Sequence, residues 1–114
     1  MLTIDRLKDF GADTDEGLAR CCENEALYLR LVNILPADEN FDVLEKALAE
    51  GDLDRAFEAS HALKGILGNL SLKPMYELCS RITELLRSRA EADYLTLVTE
   101  LLAQRDVLRT MCAE

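Results

Sequence analysis

The stretch Ala59-Ser60-His61-Ala62-Leu63-Lys64-Gly65-Ile66-Leu67-Gly68-Asn69-Leu70 holds the only histidine of the chain, and its periodicity decides how the rest is read. On a helix stepping about 100° per residue, Ala56, Ala59, Ala62, Leu63, Ile66, Leu67 and Leu70 share one broad face. His61 lies near the opposite pole. Lys64, Gly65 and Gly68 follow it at i+3, i+4 and i+7, positions that share a helix surface. Glycine inside a helix costs about 1 kcal/mol relative to alanine, so two on the solvent side call for a reason. Their effect is to clear side-chain bulk from around the imidazole, which lets another protein approach it. A cation one turn away suits an anionic group attached to the ring. The stretch reads as an amphipathic helix presenting a reachable nucleophile.

Outward from this helix the chain breaks into further helices. Gly51-Asp52 forms a tight turn in which glycine ends one helix and aspartate caps the next, so the His61 helix is predicted from about Leu53 to about Leu70. Pro74 suits the first turn of the following helix, whose apolar stripe is Met75, Leu78, Cys79, Ile82, Leu85 and Leu86. A last helix is predicted from about Ala92, with Val98, Leu101, Leu102, Leu108 and Cys112 turned inward. Upstream, Leu27, Leu31, Ile34 and Leu35 keep helical spacing behind a capping Asn24 until Pro36 interrupts, and Phe41, Leu44, Ala47 and Leu48 resume it. Residues 24–50 are therefore a pair of helices or one helix broken near the proline. Two short helical pieces precede them, over 3–10 with Thr3 as cap and Gly11 at the end, and over 13–21 with acids in the first turn. Short loops between long helices make neighbours antiparallel. The expected fold is all-α, an antiparallel up-down four-helix bundle with short additional N-terminal helices, in one domain spanning 1–114.

Bulk properties narrow the function. The chain has 114 residues, enough for one sizeable core. A net charge of −9 disfavours nucleic acid, whose binding depends on cations that neutralise phosphates, and equally disfavours anionic membrane surfaces. No apolar run approaches membrane-spanning length and the start has no signal-peptide core, so a cytoplasmic protein is expected. Cys21 and Cys22 are adjacent, Cys79 and Cys112 isolated, and no Cys-x-x-Cys occurs, so the four cysteines read as small hydrophobes rather than as a metal or disulfide framework.

His-Ala-Leu-Lys-Gly at 61–65, followed by Gly68 and Asn69-Leu70, resembles the signature of the histidine-containing phosphotransfer (HPt) domain. Gly11-Ala12-Asp13, Gly17-Leu18-Ala19-Arg20, Leu27-Tyr28 and Leu78-Cys79 extend the resemblance over nearly the whole chain. Two positions depart from it. Ser71 stands where a glycine commonly closes the motif, and Thr83 where an acidic residue is common. The resemblance implies a phosphorelay intermediate that accepts a phosphoryl group on His61 from a receiver-domain aspartate and passes it to another receiver. No cofactor of its own is implied, since the receiver brings the aspartate and Mg²⁺. A monomer is expected.

The residues fit that chemistry. Imidazole is substantially uncharged near neutral pH, and one of its nitrogens can attack a phosphoryl group. Phosphoryl transfer needs positioning and charge stabilisation more than elaborate machinery. In this scheme His61 carries the group, Lys64 offsets its charge, and Gly65 and Gly68 give the partner room. Phe57, one turn before His61, either packs under the N-terminal segment or meets the partner; Glu58 and Ser60 flank the site without an assigned role. Ala62 stands where kinase dimerisation domains typically carry an acid, and no glycine-rich nucleotide loop appears, which argues against a self-sufficient kinase. One histidine cannot make a metal site of facing bundle ligands. The alternative that survives is a non-catalytic adaptor bundle that docks receivers without carrying phosphate.

Overall fold

The computed structural model describes residues 1–114, which form seven α-helices, one 3-10 turn and no strand. The helices are α1 (Ile4–Phe10), α2 (Thr14–Arg20), α3 (Glu25–Ile34), α4 (Asn40–Glu50), α5 (Leu53–Asn69), α6 (Lys73–Arg87) and α7 (Tyr94–Ala113), with the 3-10 turn at Leu35–Ala37 between α3 and α4. Most ends follow from local chemistry. The side chains of Thr3, Asp13, Asn24, Asp52 and Asp93 each accept a hydrogen bond from a first-turn backbone N–H, satisfying donors that a helix start leaves open. Gly11 and Gly51 close α1 and α4 in the left-handed conformation, at φ 107° and 75°. Pro36 falls inside the 3-10 turn, so residues 24–50 are a pair of helices.

Helices α4 to α7 close a ring in which α5 packs between α4 and α6, and α7 packs against both α6 and α4. This is the expected antiparallel bundle. One continuous buried core runs from Leu2 and Leu7 through Tyr28, Phe41, Leu63, Leu67 and Ile82 to Leu108, so the short N-terminal helices share apolar contacts with the bundle. No helix is long and apolar enough to cross a membrane.

Three helix faces differ from the periodic reading. In α3 the buried residues are Tyr28 and Val32, whereas Leu27 and Ile34 are exposed, Ile34 at 61%. This helix is apolar nearly all round, so periodicity cannot select its inward face. Tyr28 selects it instead, by donating its hydroxyl to the Leu70 carbonyl at 2.8 Å. In α5, Ala62 is exposed and Ser60 fully buried: the apolar stripe is rotated toward α6, which covers the Ser60 flank. At the end of α7, Met111 is the buried residue and Cys112 is only half-buried.

The turn between α5 and α6 anchors the N-terminal helices. The Asp13 N–H donates to the Ser71 carbonyl at 2.9 Å. Gly17 lies against the Tyr28 ring, where an added Cβ would meet ring atoms at 2.6 Å. These contacts bring α2 alongside the C-terminal half of α5.

Candidate functional site

His61 is exposed on α5, on the face turned away from the core. Its imidazole stacks on the half-buried ring of Phe57, with centroids 5.7 Å apart and planes 21° from parallel. The Arg87 guanidinium lies over the same phenyl ring, 5.1 Å from its centroid. Phe57 is thus a platform beneath the imidazole, secured by a cation from α6.

The two glycines differ. An added Cβ at Gly65 meets nothing within 4 Å, so the space beside His61 is open there. At Gly68 it would meet the Tyr76 ring of α6 at 3.0 and 3.3 Å. The missing Gly68 side chain therefore makes room for a residue of this chain.

Lys64 lies on the flank of α5 that faces α6, its side chain 27% exposed, with Nζ 3.8 Å from Glu84 Oε1. Beneath the site, the Thr83 hydroxyl contacts Ser60 Oγ at 3.1 Å and donates to the Cys79 carbonyl at 2.8 Å. The Cys79 thiol donates to the Ser60 carbonyl at 3.2 Å. Burial pushes that thiol up to about 12, which keeps it protonated and unreactive at neutral pH. Thr83, where the resemblance leads one to expect an acid, is a buried tie between α6 and the residue preceding His61.

A shallow groove of about 340 Å³ runs along α5 from His61 past Lys64, Gly65, Gly68 and Asn69 to Glu16 and Arg20 of α2 and Lys73 of α6. At its far end Glu16 accepts from Lys73 at 2.9 Å and from Arg20 at 3.1 Å. The Lys73 hydrogen bond, then the Arg20 one, holds the Glu16 carboxyl below the usual range, and Lys73 is raised in turn. An acidic chain thus carries three of its cations along the groove that holds its one histidine.

The sequence pattern of the Hpt domain matches residues 36–114, the four-helix bundle with the 3-10 turn before it. This chain belongs to the Hpt domain family. No curated protein and no solved structure matches it. Hpt domains are phosphotransfer carriers that use a histidine in phosphorelay signalling, and they are not kinases.

Of the residues singled out in the sequence, the Hpt fold brings Phe57, His61, Lys64, Gly65 and Gly68 onto one side of α5. The sequence reading missed Tyr76, Glu84 and Arg87 of α6 and the charged end of the groove at Glu16, Arg20 and Lys73. No local pattern marks them. They meet α5 only because helices far apart in the chain pack side by side.

Proposed function

We propose that His61 accepts a phosphoryl group from the aspartate of one receiver domain and donates it to another, so that the chain is an intermediate in a multistep His–Asp relay. The observation that carries this reading is that the only histidine of an Hpt-family chain is solvent-facing, with open space over Gly65 and a lysine one turn on. In the accepting step the lone pair of an imidazole nitrogen forms the N–P bond. The P–O bond to the aspartate breaks, and the departing carboxylate keeps its electron pair. Lys64 offsets charge on the bound phosphoryl group, and Phe57 keeps the ring in a restricted orientation, which favours in-line attack. Mg²⁺ belongs to the receiver.

Docking centres on the His61 face. Gly65 allows close approach of the receiver, Gly68 and Phe57 shape the surface around it, and α2 borders the far end of the groove. The apolar hollow between Leu31, Ile34 and Ile66 adjoins this groove through Asn69 and supplies an uncharged margin to the interface. The chain acts as a monomer, residues 1–114 work as one domain, and its four free cysteines suit the reducing cytosol.

The test is phosphotransfer from a panel of receiver domains labelled on their aspartate, with Mg²⁺, to wild type and to His61→Gln. Acid-labile label on the wild type alone is the expected outcome. Receivers that bind both proteins without labelling either would establish the adaptor role instead. Label retained by His61→Gln would place the acceptor elsewhere.

A further inference from the structure

In the unphosphorylated protein the Lys64 ammonium already faces an anion of this chain. Its nearest anion is Glu84, on the facing side of α6, at 3.8 Å. Glu84 is in turn shared: its carboxylate also lies 3.4 Å from Arg87 Nε, and Arg87 rests on the Phe57 ring that supports the imidazole. Lys64, Glu84, Arg87 and Phe57 therefore form a chain of contacts that ends at the ring stacked on His61.

Resting on the reading of His61 as the acceptor, we propose that Glu84 is a positioning residue that holds Lys64 in reserve and competes with the phosphoryl group for it. In the unphosphorylated protein the ammonium pairs with Glu84. When the N–P bond forms, the added dianionic charge attracts the ammonium across the helix surface, and Lys64 exchanges one anion for the other. Arg87 remains beside Glu84, so the carboxylate released by Lys64 keeps a counter-charge and the exchange leaves no isolated anion. Glu84 is 57% exposed and the pair is long, so its hold is that of a surface ion pair, weak enough to be displaced. The consequence is a carrier whose affinity for phosphate is lowered by its own carboxylate. A carrier must release the group as readily as it accepts it, and a lysine given up wholly to phosphate would oppose release.

The experiment uses potassium phosphoramidate, a small P–N donor that labels imidazole without a receiver, followed by ³¹P NMR on the full chain. Four proteins are compared: wild type, Glu84→Gln, Lys64→Met and the double variant, with His61→Gln as control and thermal melts to check folding. Glu84→Gln is expected to form phosphohistidine roughly two- to fivefold faster than wild type, the range that the strength of an exposed ion pair allows. The gain should shrink as salt is raised and disappear in the Lys64→Met background. An unchanged rate in Glu84→Gln, with wild type labelled and His61→Gln not, overturns this proposal and leaves the carrier reading standing. An equal gain with and without Lys64 also overturns it, because Glu84 would then act by direct repulsion. If wild type takes no label, the acceptor assignment fails and this proposal fails with it.

Discussion

Ser71 shows how much one residue settles. It lies at the turn after α5 with φ 55°, the left-handed conformation that glycine adopts without steric cost, and it is 1% exposed. Its backbone carbonyl accepts from Asp13, while its buried hydroxyl has no partner. The departure from the family pattern is thus one of side chain, not of backbone: serine takes the shape expected of the glycine. Ser71→Gly removes the left-handed strain and the unpaired hydroxyl, and gives back part of the gain through the greater entropy of the unfolded chain. We expect a net stabilisation of about 1 kcal/mol in urea denaturation, with phosphohistidine formation unchanged. A destabilised variant would mean that the hydroxyl is satisfied by water. Phe57 and Tyr28 make the same point with aromatic rings, one fixing the imidazole above it and the other fixing the inward face of α3.

Along α5 the two glycines of the motif are predicted to respond in opposite ways. Gly65 faces open space, so Gly65→Gln should stabilise the helix by about 0.5 kcal/mol through propensity alone. The same change should slow phosphotransfer from a receiver by about tenfold or more, a loss of about 1.4 kcal/mol in transition-state stabilisation, and affect phosphoramidate labelling much less. Gly68 faces the Tyr76 ring, so Gly68→Leu overpacks the α5–α6 contact and should cost about 1–3 kcal/mol. Most of that loss should return in a Tyr76→Ala background, since the two residues share one space. Thermal melts separate these effects from the transfer rates. If Gly65→Gln is less stable than wild type, something unseen packs there. If Tyr76→Ala restores nothing, the clash lies with another neighbour. The two glycines cannot be told apart by their spacing, because each stands about one turn from its neighbours on the same face and only the position of α6 distinguishes them.

For the molecule as a whole, two buried acids predict how stability ends at high pH. Burial pushes both the Tyr28 hydroxyl and the Cys79 thiol up to about 12, from ordinary values of 10.0 and 9.0. Between those values the unfolded chain has released protons that the folded chain still holds. Stability therefore falls with rising pH, since the unfolded state binds fewer protons. The contribution of these groups is complete below about pH 9 and is lost as pH climbs toward about 12. Urea midpoints should decline over that window, and Cys79→Ala should remove the earlier part of the decline. A flat profile from pH 8 to 11 would mean that neither group is buried in solution. Tyr28 joins α3 to the end of α5, so its ionisation should also loosen the N-terminal helices from the Leu70–Leu72 turn.

What the sequence determined by itself was local. Helix ends are set by caps and glycines that act within four residues, which is why Thr3, Gly11, Asn24, Gly51 and Asp52 were legible and held their places. The inward faces of α4 and α6 were legible too, because their apolar residues fall on one side with charges on the other. So was the placing of His61 and Gly65 on the outward side of α5. Only the tertiary structure decided which flank of α5 meets α6. That choice buried Ser60 against Thr83, exposed Ala62, set Tyr76 against Gly68 and gave Lys64 to Glu84. The physical reason is that side-chain ridges of one helix settle into grooves of the next. The angle and rotation of that fit depend on every residue along both helices, not on any short stretch of either.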